Sequence, residues 1–494
     1  MLFIDPKWPC TLEKIIALIK LVLIISILRE NHRYTSIMQI HRSEADLLLH
    51  WLNKPNRKPL IIRGARQVGK SSLVRYLAQL SQRTCFELNL ERFPELADFF
   101  KSKDPAVILN HLNLYFKQTI DPKTALLFLD EIQATPQVIE TLRYFYEECQ
   151  ALPIIAAGSL LEFTLAAPEF SIPVGRIEYF HLGPLTFEDF LIAQNEKLLV
   201  DWMRSVTLTE AIPIPIHQKC LNYLKQYWLI GGMPEVVAHY AEHHDFEETT
   251  LIKKNILQSY QEDFHKYGNI KQIPLLRRTF KTIPNLIGQK TKYSHIDSDS
   301  PTAAVKTALE YLSLAKIIHL VYHSHATGLP LRAQINSKIF KSIFLDIGLL
   351  CTELGLSHLS ILHAPDWAWG NRGSLAEQFI GQTLLQVTPQ SQMPELFYWV
   401  REQSNSSAEL DYLWQYESSI IPIEVKAGKT GHLKSLHYFL QEKKWPIGIR
   451  FNTDLPSLLN ETTKVAYKDV IHYQLLSLPF YLAGQLPRFA ATLF

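Results

Sequence analysis

Apolar positions along this chain change period several times, and each change predicts a different kind of element. Pro59-Leu60-Ile61-Ile62-Arg63, Ala125-Leu126-Leu127-Phe128-Leu129 and Pro153-Ile154-Ile155-Ala156-Ala157 are short, nearly continuous apolar runs, as buried strands require. Ser72 to Leu80 instead spaces its apolar residues at helical intervals, and Leu47 to Leu52 lies in an amphipathic helix. After Phe190 the period is mostly helical; between Cys220 and Tyr240 a helix must break at Gly231-Gly232 and restart after Pro234. Ile273 to Ile287 reads as one helix. Ser300 to Leu309 reads as another, with Ser300 as its N-cap and Pro301 in its first turn, and Ile317 to Val321 reads as a strand. Toward the C-terminus, Ser374 to Ile380 predicts a helix, and Glu409 to Trp414 and Ile421 to Lys426 predict strands.

The first strand and its helix are joined by Gly64-Ala65-Arg66-Gln67-Val68-Gly69-Lys70-Ser71, which fits G-x-x-x-x-G-K-[ST] throughout. Glycines let the chain bend so that successive N–H groups point at phosphate oxygens, Lys70 supplies a point charge, and the Ser71 hydroxyl can ligate Mg²⁺. Ser72 follows in the first helical turn, whose partial positive charge favours the same phosphates. The second apolar run ends in Asp130-Glu131, where a sheet's C-terminal edge presents side chains. Asp130 can hold the Mg²⁺ shell and Glu131 can polarise an attacking water. Ser159, at the end of the third run, either contacts the γ-phosphate or caps its strand.

These motifs, with Gly158-Ser159, Val174-Gly175-Arg176 and Leu182-Gly183-Pro184-Leu185-Thr186-Phe187-Glu188-Asp189-Phe190, resemble the AAA superfamily. More narrowly they resemble prokaryotic AAA-type ATPases with a C-terminal domain of unknown function, from about Met38 almost to the end. The resemblance implies ATP and Mg²⁺ as cofactors and a helical lid, whose Gly231-Gly232-Met233-Pro234 turn is either a hinge or a plain interhelical turn. It also implies an arginine that senses the γ-phosphate, often from a neighbouring subunit. Arg176 matches that arginine, or it is a surface residue paired with Glu178.

From Ile252 to Leu356 the pattern resembles a winged helix-turn-helix. Its second helix offers mainly Thr302, Lys306 and Thr307 rather than the Arg, Asn or Gln that read base edges, so a structural or protein-binding winged helix stands beside a DNA-binding one. Lys290, Lys292, Lys338 and Lys341 are candidate phosphate contacts. Farther on, Glu377, Asp411 and Glu424-Val425-Lys426 follow the order of acid, Asp and Glu-x-Lys in the PD-(D/E)xK nuclease-like fold, which this segment resembles. Alternation along a strand puts Glu424 and Lys426 on one face. Asp411 and Glu424 could share a Mg²⁺, Lys426 could orient or deprotonate a water, and Glu377 could support them. Glu-Val-Lys is also common on half-exposed sheets, and nuclease folds are kept after catalysis is lost, so cleavage stays open.

Composition sets outer limits. The 494 residues exceed one core, and a formal charge of +2 confines any nucleic-acid surface to a local patch. Cys10, Cys85, Cys149, Cys220 and Cys351 lack metal or disulfide spacing, which suits a reducing cytoplasm. His239, His243 and His244 share a helix face, read here as solvated rather than metal-binding. Ile15 to Leu28, within an apolar stretch spanning residues 11–28, is short for a membrane span and carries Lys20. It reads as the product of an upstream start codon or as a small extra helix, with a membrane anchor as the alternative.

The expected fold class is α/β: a P-loop NTPase domain with a helical lid, then a winged-helix-like region and a restriction-endonuclease-like α/β domain. The boundaries are 1–37 for the extension, 38–205 for the ATP-binding domain, 206–251 for the lid, 252–360 for the winged-helix-like domain and 361–494 for the nuclease-like domain. DNA is a candidate partner and a homo-oligomer a candidate assembly. Three classes stay open: an ATPase that positions a nuclease-like effector, a nucleotide-dependent binding switch, and a scaffold without turnover.

Overall fold

The computed structural model describes residues 40–165, 173, 175–266, 269–358, 373–403, 406–427, 433–464 and 470–493. The expected N-terminal extension, its apolar stretch at 11–28 and Val174 lie outside them. Among the described residues no helix is long and apolar enough to cross a membrane.

The first sheet runs in the order β2-β3-β4-β1-β5, built from β1 (Leu60–Arg63), β2 (Thr84–Asn89), β3 (Ala125–Asp130), β4 (Ile154–Gly158) and β5 (Glu178–His181). All its pairings are parallel. Every residue of β3 and β4 is buried, so these strands read as continuous apolar runs rather than alternating ones. Leu127, Leu129, Ile154 and Ala156 pack with Leu112, Leu142 and Phe145 in one apolar cluster. The helix Pro105–Phe116 that brings Leu112 into this cluster starts on Asp104, whose Oδ1 accepts from the N–H groups of Ala106 and Val107 at 2.8 and 3.3 Å. Because β4 separates β1 from β3, their carboxyl ends line one edge, with Arg63 opposite Gly158 and Asn89 opposite Asp130.

The second sheet has eight strands in the order β12-β13-β11-β10-β9-β8-β6-β7. They are β6 (Ile318–Ser324), β7 (Ile335–Phe344), β8 (Leu396–Gln403), β9 (Ser406–Tyr416), β10 (Ser419–Val425), β11 (Ile447–Asn452), β12 (Ser457–Lys464) and β13 (Val470–Pro479). β6 and β7 belong to the segment expected as winged-helix-like, yet β6 pairs in parallel with β8 of the next segment. The boundary expected at 360/361 therefore falls inside one sheet. Backbone groups on the free side of β6 need partners, β8 supplies them, and the local pattern of β6 carries no sign of which strand will do so.

Two helix expectations shift in detail. Ile273–Thr282 ends before Pro284, and a 3₁₀ turn, Ile283–Leu286, takes the remaining residues. The next long helix is Thr302–Leu314, with Pro301 rather than Ser300 at the N-cap; the Ser300 hydroxyl accepts from Arg278 Nη2 at 3.3 Å instead.

The break at Gly231 is held by a buried carboxylate. Helix Ile214–Ile230 stops where Gly231 takes φ +79, and a Cβ there would lie 2.1 Å from Asp346 Oδ1. Gly232 N–H donates to Asp346 Oδ2 at 2.6 Å, while Oδ1 caps helix Ile347–Glu353 through Leu349 N–H at 3.0 Å. Helix Pro234–His243 then begins with its proline in the first turn, as the sequence leads one to expect.

Candidate functional site

The loop after β1 wraps back over the strand edge. Gln67 and Gly69 take left-handed φ values of 62 and 88, and Gly64 lies so close to Leu182 that a Cβ would meet its carbonyl oxygen at 2.2 Å. The second of these glycines thus supplies a turn and the first a close approach. Lys70 opens helix Lys70–Leu80, and its Nζ donates to the carbonyls of Ala65 and Gly64 at 2.7 and 3.1 Å. Burial pushes the Lys70 ammonium down to about 8 against the pull of Glu131 and Asp130.

Beneath the loop, Ser71 Oγ donates to Asp130 at 2.9 Å to Oδ2 and 3.1 Å to Oδ1. Burial raises the Asp130 carboxyl to about 6; the Ser71 hydrogen bond opposes this, and the charges of Glu131 and Glu87 add to it. A hydroxyl and a carboxylate facing one another at the base of a phosphate-type loop make a donor set that suits Mg²⁺. Ser72 is exposed in the first turn of the same helix.

Glu131 follows in a left-handed conformation, φ +51, which turns it off the strand end. Its Oε2 accepts from Gln133 Nε2 at 2.6 Å and from Ser159 Oγ at 3.3 Å. Ser159 Oγ in turn accepts from Arg66 Nε at 3.1 Å. Glu131, Ser159 and a loop side chain therefore form one chain of hydrogen bonds. In the sequence Arg66 is one of the phosphate-loop positions, with no sign of a further partner. Its guanidinium also pairs with Asp263 at 2.6 Å and Glu91 at 3.8 Å, and its carbonyl accepts from Tyr260 Oη at 2.8 Å. No local pattern links positions 66 and 263; the fold alone joins them.

Arg176 lies elsewhere. It is exposed and pairs through Nε with Glu147 Oε1 at 2.8 Å, whereas Glu178 is paired with Lys54 at 2.9 Å. It precedes the four-residue β5, whose far end, His181, sits beside Arg63. That places it roughly 13 Å from the loop edge along the strand, so within one chain it does not approach the phosphate loop.

The second candidate set converges as well, with one addition. Asp411 on β9 accepts from Val425 N–H at 2.7 Å through Oδ2, and Glu424 Oε1 pairs with Lys426 Nζ at 2.6 Å. Glu424 Oε2 is buried and has no hydrogen-bond partner among the described residues. Glu377, on helix Gly373–Val387, faces Lys341 of β7, whose Nζ lies 3.2 Å from Glu377, 2.5 Å from Glu409 and 3.7 Å from Asp411. Burial works against the Lys341 charge, yet Glu377, Asp411 and Glu409 hold its ammonium well above the usual range. Burial pushes Glu377 up to about 8 and Glu424 to about 7, the Asp411 charge acting in the same direction. With its side chain only 2% exposed, Lys341 is not the phosphate contact expected from sequence. Lys292 and Lys338 do lie at the surface, and the Thr291–Phe340 bridge sets residues 290–292 against β7. Stacked His239 and His243, 4.4 Å apart, belong to no metal cluster among the described residues.

The loop, the Ser71–Asp130 pair and the parallel sheet that positions them fall within residues 56–191, which match the family model described as AAA domain. That segment is an AAA-type P-loop domain. Beyond the AAA domain, residues 221–360 and 372–471 match two further models, each described as a domain of unknown function (DUF8612 and DUF4143). No curated protein matches the chain. Among solved structures, a Walker-type ATPase of Pyrococcus abyssi aligns at 16% identity over 64% of this chain and 96% of its own, with a TM-score of 0.40. The Aeropyrum pernix ORC1 protein in complex with DNA aligns at 11% over 66% and 95%, TM-score 0.28, and C. elegans PCH-2 at 10% over 43% and 67%, TM-score 0.27.

Proposed function

We propose that this chain binds and hydrolyses ATP, and that its nucleotide state is passed to a C-terminal nuclease-like domain that associates with DNA. The observation that carries the first half is the Ser71–Asp130 pair beneath the loop, with Lys70 inside it and Glu131 tied to Ser159. Mg²⁺ bound by Ser71 and Asp130 would supply charge neutralisation to the β- and γ-phosphates. Backbone N–H groups of Ala65 to Ser72 orient those phosphates, Lys70 leaves its two carbonyls to meet them, and Glu131 polarises the attacking water while Ser159 orients it. Arg176, at the other end of the sheet, can serve as an arginine finger only for a neighbouring subunit.

Passage of that state is supported by Arg66. One side chain touches Ser159 in the AAA domain and Asp263 in the segment 221–360, so any movement of the γ-phosphate contacts is felt there. Exposed Lys292 and Lys338 offer a local basic patch to a phosphate backbone. A second reading keeps binding and switching but not cleavage, and the ion pairs of Lys341 favour it.

The test is ATP turnover by the purified chain. Lys70→Ala should abolish nucleotide binding, and Glu131→Gln should keep binding while slowing hydrolysis by about 10²-fold or more. Unchanged turnover in Glu131→Gln would sink the hydrolytic reading. Plasmid DNA incubated with Mg²⁺ and ATP, with Asp411→Ala as control, separates the two readings of the C-terminal domain.

A further inference from the structure

Three acidic side chains crowd around one point of the second sheet, and a lysine already stands there. Glu409 and Asp411 are two residues apart on β9 and so share a face, and Glu377 reaches the same point from helix Gly373–Val387. Carboxylates brought this close repel one another unless a cation lies between them. In nuclease-like folds that cation is a divalent metal. Here the Nζ of Lys341 lies within 2.5 to 3.7 Å of all three, with its side chain 2% exposed.

The oxygens left over do not make a metal site. Asp411 uses Oδ2 on Val425 N–H and turns Oδ1 toward Lys341, while Glu424 gives Oε1 to Lys426. Glu424 Oε2 is buried without a hydrogen-bond partner among the described residues, and Mg²⁺ at 2.0–2.1 Å from Asp411 and Glu424 would sit against the ammonium groups of Lys341 and Lys426. Among the described residues no three His, Cys, Asp or Glu side chains are grouped to hold a metal ion. We propose that Lys341 is the resident cation of this cluster and that no divalent metal binds Asp411 and Glu424 while it is in place.

The lysine and the acids come from different segments. Lys341 lies within residues 221–360, the acids within 372–471. The cluster is therefore a pin that ties β7 to β9 and to helix Gly373–Val387. This deepens the reading without cleavage and rests on the same ion pairs of Lys341, adding which group fills the acidic cluster.

The test is Mn²⁺ titration of the full chain by electron paramagnetic resonance without nucleotide, in an Asp130→Asn background that removes the phosphate-loop site. Up to about 1 mM Mn²⁺, the chain with Lys341 intact should show no binding that Asp411→Asn alters. Lys341→Met should gain a site that is lost again in Lys341→Met/Asp411→Asn. An Asp411-dependent site with Lys341 intact, or a folded Lys341→Met chain that gains none, overturns the proposal. Should Lys341→Met fail to fold in chelator, refolding is repeated with Mn²⁺: recovery supports the inference, and its absence counts against it. No ATP is present, so the outcome is independent of whether the chain hydrolyses it.

Discussion

Single residues show how far side-chain chemistry follows from position. His319 on β6 and His181 at the end of β5 are pushed down to about 3 and about 4, first by burial and then by the charges of Lys316 and Arg63. Neither ring accepts a proton in the folded chain near pH 5, whereas both do when unfolded. The unfolded state therefore binds more protons between pH 6.5 and 5, and stability falls as pH drops through that window. Both residues are half-buried, so the loss should be on the order of 1 kcal/mol per histidine. Urea midpoints measured from pH 7 to 5 should fall, and His319→Gln should make that fall shallower; an unchanged slope would remove His319 from the account. Neither residue stood out in the sequence. Burial of a histidine depends on which sheet covers it, and here that is decided by long-range pairing.

At the scale of elements, glycine 231 and glycine 175 make a matched comparison. Both hold positive φ, 79 and 76, but a Cβ at 231 would strike Asp346 while one at 175 would meet nothing within 4 Å among the described residues. Gly175→Ala should cost about 1 kcal/mol for backbone strain alone. Gly231→Ala must also displace a buried carboxylate that caps two segments, and should cost roughly 3 kcal/mol or more in chemical denaturation. Equal costs would show that Asp346 does not hold the turn. The break itself was legible, since Gly231-Gly232 and Pro234 are helix-ending and helix-starting signals. Its lock was not, because Asp346 lies more than a hundred positions away. The same division holds at the phosphate loop. Gly64 to Ser71, β1, β3 and β4 are local patterns and could be read directly, whereas the links from Arg66 to Asp263 and from Lys341 to Glu377, Glu409 and Asp411 exist only once the sheets assemble. Continuous apolar runs announce that a strand is buried on both faces, but they do not say which strand lies beside it.

Across the whole of residues 41–494, the phosphate loop is gripped from several directions. Arg42 donates to Val68 O at 2.5 Å and to Gly183 O at 2.7 Å, Tyr227 Oη donates to Leu185 O at 2.7 Å, and Gln386 Nε2 to Pro184 O at 3.1 Å. Gly183-Pro184-Leu185 is thus fastened by the loop's own neighbour, by helix Ile214–Ile230 and by helix Gly373–Val387. Helix Phe246–Glu262 adds the Tyr260 contact to the Arg66 carbonyl, and Asp263, the next residue, holds the guanidinium. Ordering the loop around a nucleotide should therefore slow local opening of that helix, although it lies outside the AAA domain. Hydrogen exchange with and without a non-hydrolysable ATP analogue should show added protection in residues 246–262 as well as in the loop. Asp263→Asn combined with Tyr260→Phe should remove the distant protection while leaving the protection of the loop. Protection that stays within residues 56–191 in the unaltered chain would mean that the nucleotide state stops at the domain edge. The switch reading would then lose its physical route, even if ATP were bound and hydrolysed.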